Sequence, residues 1–227
     1  MAIVKRAHIL PEPAASSAYD AGCRRCERLV AFLDQVRLAS PGYFCRPVPP
    51  FGASDAALVV VGLAPGRHGA NATGRPFTGD YAGDLLYDTL LAYGFARGRY
   101  DARPDDDLTL VDCMITTAVR CVPPENKPTA AEIASCRRFL SERLATLPRL
   151  AAVVVLGRIA HDSTLAALGA RRVAFPFAHG ARHEVRTGLA LFDSFHCSRY
   201  NTNTGKLTTD MFRAVFAAVR SHLDQPQ

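Results

Sequence analysis

Tryptophan is absent, and lysine is nearly so: Lys5, Lys127 and Lys206 are the lysines among 27 basic residues. Arginine supplies the rest. A GC-rich genome accounts for such a bias, and guanidinium groups also clasp phosphate well. Acid is the scarcer charge, 21 residues against 27, which leaves +6 at neutral pH. That modest excess fits a nucleic-acid partner without requiring one. Long apolar runs are missing as well. The longest, 56–63 and 150–156, fall far short of the ~20 residues that span a bilayer. Lys5 and Arg6 are followed by no apolar core, and Pro11 and Pro13 come at once, so no export signal is read and a cytoplasmic location is expected. Low-complexity stretches, internal repeats and a convincing linker are all lacking. With 48% apolar and 21% charged residues among 227, the chain 1–227 reads as one globular domain whose core needs no staple.

Cysteine is what the chain has in unexpected supply, at positions 23, 26, 45, 113, 121, 136 and 197. Seven is odd, and a reducing cytosol disfavours structural disulfides. Cys23-Arg-Arg-Cys26 is a CxxC pair outside any βαβ pattern, which argues against a thioredoxin-like redox motif. Cys121 and Cys136 follow about a hundred residues later. Two such pairs of thiolates can hold zinc or an iron–sulfur cluster. Cys113 lies in an apolar run and reads as core, Cys197 stands beside a histidine, and Cys45 reads as a loop thiol.

Apolar periodicity gives helices at 22–38, 83–93, 129–147, 158–168 and 209–223, the third opening on a Thr129/Glu132 capping-box pattern. Short buried strands fall at 57–62, within 108–119, at 151–156 and at 189–195, with an edge strand at 182–186. Alternating strands and helices predict an α/β fold with a mostly parallel sheet. In such sheets, sites form beyond the carboxyl ends of strands. Two polar loops fall there, 64–80 and 196–208. The first is Gly-rich but is neither a Walker A nor a dinucleotide turn. Its one acid, Asp80, suits a helix N-cap as well as catalysis. His196 suits a structural hydrogen bond as well as a catalyst, and 201–205 are plausible turn residues. Taken together, an acid, a histidine and an amide at adjoining strand ends suit cleavage of a bond in a nucleic-acid ligand.

The segment Gly62-Leu-Ala-Pro-Gly-Arg-His-Gly-Ala-Asn-Ala-Thr-Gly-Arg-Pro-Phe-Thr-Gly-Asp80 resembles the first motif of the uracil-DNA glycosylase superfamily, in its type B or family 5 form. His196-Cys-Ser-Arg-Tyr-Asn-Thr-Asn-Thr-Gly-Lys-Leu-Thr208 resembles that family's second motif. Ala118-Val-Arg-Cys-Val-Pro-Pro-Glu-Asn-Lys-Pro128 resembles its central cysteine segment, and Phe177-Ala-His-Gly-Ala181 a further family feature. The type A relatives are a worse fit, since they would carry Glu where Leu63 stands. The resemblance implies a three-layer α/β/α sandwich around a four-stranded, mostly parallel sheet. It also implies a structural four-iron four-sulfur cluster held by Cys23, Cys26, Cys121 and Cys136, with zinc the minor alternative.

The reaction implied is hydrolysis of the N-glycosidic bond of uracil in DNA, by a monomeric enzyme acting on a flipped nucleotide. By resemblance Asp80 stabilises the sugar cation or orients water, His196 donates to the uracil O2, and Asn201 holds the loop or the base. Phe77 would stack on the flipped ring, and backbone groups of Gly62, Leu63 and Ala64 would line the pocket. Arg199 and Tyr200 would fill the gap left in the duplex, with Lys206 a further DNA contact. Some relatives carry Asn where Thr117 stands. The shorter Thr117 implies relaxed selectivity that extends to hypoxanthine and xanthine. A metal-stapled DNA-binding module, or a hydrolase of free nucleosides, would share some of these features but not all.

Overall fold

Short runs of valine and leucine can leave water on both faces only inside a sheet covered by helices on both sides. The computed structural model describes residues 19–225, so the stretch read for an export signal lies outside the described residues. In chain order the elements are α1 (Glu27–Ala39), β1 (Phe51–Gly52), β2 (Leu58–Gly62), α2 (Ala70–Thr73), α3 (Tyr81–Ala92), β3 (Ala96–Arg97), β4 (Thr109–Leu110) and β5 (Cys113–Thr117). They continue as α4 (Ala130–Thr146), β6 (Ala152–Leu156), α5 (Arg158–Ala167), β7 (Arg182–Arg186), β8 (Leu189–Ser194), α6 (Arg199–Asn203) and α7 (Thr209–Leu223).

The main sheet runs β1-β5-β2-β6-β8-β7. The four inner strands are mutually parallel, as expected, and β1 and β7 close the edges antiparallel. Two residues of β1 are too few to leave a periodic signature. Alternation along each inner strand divides the core. Leu58, Val60, Ile115, Val154 and Phe192 face α3 and α7. Val59, Val61, Met114, Val153, Val155 and Leu191 face α4 and α5. Burying each such side chain contributes roughly 1.5–3 kcal/mol, so the sheet is a rigid platform for the loops at its carboxyl edge.

Helix α1 belongs to a smaller cluster, in which Leu33 and Val36 pack against Cys45 and Val122. Arg28 ties it to α4, with Nε and Nη2 donating to Glu132 at 2.8 and 2.7 Å. Glu132 also completes the expected capping box with Thr129, worth about 1 kcal/mol. Two boundaries differ from expectation. The first helix begins at Glu27, not 22, so the CxxC occupies the preceding turn with Cys26 as N-cap. The loop 196–208 contains α6, whose N-cap Ser198 accepts from the Asn201 amide.

Candidate active site

The chain starts its sheet at β2, adds β5 on one side, and returns to place β6 on the other. A crevice opens beyond the carboxyl ends of strands where the winding reverses, and ligands collect there. Gly62 ends β2 and Gly157 follows β6 at this place. A Cβ on Gly157 would stand 3.7 Å from that of His196.

Asp80 caps α3, its Oδ1 accepting from the Gly83 amide at 3.3 Å. The glycines of the preceding loop explain its seat. A Cβ at Gly69 would come within 2.2 Å of Asp80 Oδ2, and one at Gly66 within 3.2 Å. Burial raises the Asp80 pKa, the Gly83 and Ala82 amides oppose the shift, and Asp84 adds to it. The cap and the buried acid are therefore the same carboxylate.

His196 follows β8. Desolvation of the imidazole drops its pKa to about 4, so the ring is neutral at physiological pH. Phe77 stacks on it, with centroids 5.9 Å apart and planes at 29°. Phe77 also leans over Gly62, where a Cβ would lie 2.6 Å from the ring. Asn201 Nδ2 donates to the His196 carbonyl at 2.8 Å, which puts this amide in the service of the loop. Cys197 Sγ reaches the Ala82 carbonyl at 3.4 Å and joins the two loops beside the acid and the imidazole. Thr117 is buried at the end of β5, opposite Gly62. The Gly62 and Leu63 carbonyls accept from the Ala118 and Val119 amides, both at 2.9 Å.

Tyr200 is 75% exposed at the start of α6. Beside it the Arg199 guanidinium lies 5.3 Å over the Tyr81 ring, and Lys206 sits 4.9 Å over Phe195. The 177–181 segment is anchored by groups that sequence reading left unassigned. His161 Nδ1 and His183 Nε2 meet the two oxygens of buried Asp193 at 2.6 and 3.1 Å. The Ala178 amide donates to Asp193 Oδ2, and His179 Nδ1 accepts from the Phe195 amide beside His196. Both ring nitrogens of His161 face oxygen, since Nε2 meets the Phe175 carbonyl at 2.9 Å. Burial opposes charge on this ring, but Asp193 outweighs it and raises the pKa.

On the opposite flank Cys23, Cys26, Cys121 and Cys136 line one cavity of about 450 Å³, with Tyr19, Leu29, Arg120 and Phe139. As a free thiol Cys121 is pushed up to about 12, by burial first and then by Cys136, Cys23 and Cys26. A bound cation reverses that penalty, because metal-bound thiols lose their protons. Cys45 is a correction. It is fully buried in the α1 cluster, with Asn71 Nδ2 at 3.5 Å from its sulfur, because the loop that carries it folds under α1.

A family model described as the uracil DNA glycosylase superfamily matches residues 49–220. The chain belongs to that superfamily. Within it the chain is 46% identical over 198 residues to the type-5 uracil-DNA glycosylase of Thermus thermophilus, which covers 85% of this chain and 90% of the relative. It is 42% identical to the type-5 uracil-DNA glycosylase of Pyrobaculum aerophilum, with 85% of each chain covered. The type-4 uracil-DNA glycosylase of Archaeoglobus fulgidus matches at 36% over 114 residues, 50% of this chain and 49% of the relative.

Proposed function

We propose that this chain hydrolyses the N-glycosidic bond of uracil in DNA and leaves an abasic site, and that it accepts other deaminated bases such as hypoxanthine and xanthine. The observation that carries the reading is the junction of the two loops. The Cys197–Ala82 contact brings a buried acid and a neutral imidazole to one end of the sheet, with an aromatic ring stacked on the imidazole. A base inside a duplex is out of reach, so the nucleotide must swing out into the crevice. As the bond from C1′ to the base breaks, the electron pair leaves with the base, and positive charge grows on the sugar. Asp80, ionised, offsets that charge and orients the water whose oxygen bonds to C1′. His196, neutral, donates its N–H to O2 of the departing uracil. Preorganised groups of this kind act where charge develops. Phe77 offers its face to the ring, and Asn201 fixes the His196 backbone. Gly62, Leu63 and Ala64 line the pocket, and Thr117 leaves the base edge loosely read. Arg199, Tyr200 and Lys206 meet the DNA, with Tyr200 exposed enough to enter the stack.

Cys23, Cys26, Cys121 and Cys136 would hold a four-iron four-sulfur cluster, which supplies a cross-link between the turn before α1 and the middle of the chain. A single zinc would draw four sulfurs to about 3.8 Å from one another. Among the described residues the trio of ligand atoms gathered within 4.8 Å is instead His161, His183 and Asp193, already hydrogen-bonded to each other. The cysteines surround a cavity, which suits a larger group.

The test is a duplex with one uracil, or one hypoxanthine, incubated with purified protein and then treated with alkali. Breakage at the damaged position is expected for both. An intact uracil duplex together with cleavage of free deoxyuridine would replace this reading with a nucleoside hydrolase. Binding without any cleavage would leave a DNA-binding module.

A further inference from the structure

Phe77 holds a φ of +52°, left-handed backbone that a bulky side chain rarely adopts and that costs energy unless its surroundings enforce it. The enforcement is visible. Tyr87 Oη donates to the Pro76 carbonyl at 2.6 Å, and Tyr100 Oη donates to the Phe77 carbonyl at 3.1 Å. The two tyrosine rings stack on each other, 4.4 Å apart at 29°. Gly83 lets this happen, because a Cβ there would lie 1.9 Å from the Phe77 oxygen and 2.5 Å from Tyr100 Oη. Arg75 closes the assembly from the other side. Its guanidinium lies over both rings, its Nε donates to Thr78 Oγ1 at 2.7 Å, and it meets buried Asp106 through two bonds of 2.6 and 2.8 Å. Asp106 in turn accepts from the Asp101 and Leu108 amides. Tyr100 and Asp106 both come from the segment that joins β3 to β4.

We propose that Tyr100 and Tyr87 are positioning residues that hold Phe77 in its strained conformation, so that the β3–β4 segment sets the surface on which the target base stacks. This rests on the reading of Phe77 as that surface. The strain gives the proposal its direction. Without the two hydroxyls the 76–78 backbone relaxes toward negative φ, and the ring leaves its place over Gly62 and against His196.

The experiment uses Tyr100→Phe, Tyr87→Phe and the double variant, which keep the stacked rings and lose only the hydroxyls. Three quantities are read in the intact protein: hydrogen exchange at the Thr78–Asp80 amides, the single-turnover rate on a uracil duplex, and affinity for undamaged duplex. Loss of one hydrogen bond is worth about a fivefold effect. Faster exchange, a rate lowered about fivefold per hydroxyl and unchanged duplex affinity are expected. In a Phe77→Leu background the same changes should cost little further rate. Unchanged exchange would overturn the clamp. Faster exchange with an unchanged rate, while Phe77→Leu itself is slow, would overturn the positioning role alone. If Phe77→Leu also keeps the wild-type rate, the stacking reading falls with it. A tyrosine effect of equal size in the Phe77→Leu background would place the hydroxyls in some other duty and overturn the proposal.

Discussion

The neutrality of His196 is open to a direct challenge by acid. An ordinary histidine, with pKa near 6.5, is about 97% protonated at pH 5, whereas one at about 4 is about one-tenth protonated. The two cases part most clearly between pH 5 and 6.5. The single-turnover rate on a uracil duplex should therefore show no limb near 6.5 that belongs to His196. The same shift acts on stability. A folded-state pKa below the unfolded value means that the unfolded chain takes up protons first, so stability is lost as pH falls from about 6.5 towards 4. Between pH 7 and 5 the His196 contribution to this loss is about 2 kcal/mol. His179, also depressed by burial, acts in the same sense. His161, raised by Asp193, acts in the opposite sense and loses its contribution as pH rises. Comparing the wild type with His196→Ala isolates one ring. Denaturant unfolding at pH 7 and pH 5 should show a drop about 2 kcal/mol smaller in the variant. At pH 7 the variant should turn over uracil about a hundred- to a thousandfold more slowly, and hypoxanthine less severely, since that base lacks the O2 it would face. An acidic limb at 6.5 that vanishes in His196→Ala, or equal losses on the two bases, would refute the assignment.

Asp80 has two duties that a pair of variants separates. Asp80→Asn keeps a capping oxygen and should lose rate by about a hundred- to a thousandfold with little change in melting, whereas Asp80→Ala should lose both; near-wild-type rates in circular-dichroism-matched samples would leave only the cap. Cys121→Ala should lose iron, measured by elemental analysis, together with the absorbance of the wild-type protein near about 400 nm; a colourless wild-type protein holding zinc at full activity would reject the cluster. Arg199→Ala should weaken binding to damaged and undamaged duplex alike and flatten the salt dependence by about one charge if it meets phosphate, and unchanged binding and turnover would remove α6 from the interface. Cys45→Ser should destabilise by about 1–3 kcal/mol in denaturant titration, because it buries a hydroxyl in an apolar cluster; a silent substitution would return Cys45 to the status of a loop thiol.

What the sequence made legible depended on repetition and on local chemistry. The valine runs at 58–62 and 152–156, the alternation of 182–186 and the Thr129/Glu132 pair each announce their element within a few residues, and the structure has all four. The placement of Asp80 and His196 beyond strand ends followed from those strands. Other features are set by contacts between distant segments, and these were silent. Nothing near Cys45 says that α1 will cover it. Nothing near Tyr100 or Asp106 says that Phe77 and Arg75 will be their partners. Asp193 lies in a run that reads as plain strand, and its two histidines come from α5 and β7. The turn at Cys23–Cys26 displaced a helix start that periodicity alone had extended through it.

The order of strands gives distance a meaning in this molecule. Asp80 follows β2 and His196 follows β8, and β6 stands between them. Neighbouring strands rotate by roughly 20–25°, so the two loops fan apart by about twice that angle, and the gap across which charge separates is fixed by the middle strand. The valines of β6 thus act as a shim. Trimming Val153 or Val155 opens no hole near the base, yet it lets the outer strands tilt, and a shift of about 1 Å in reacting groups can cost about a hundredfold in rate. The interior far from the crevice is in this sense part of the ruler by which the enzyme spaces its acid from its imidazole.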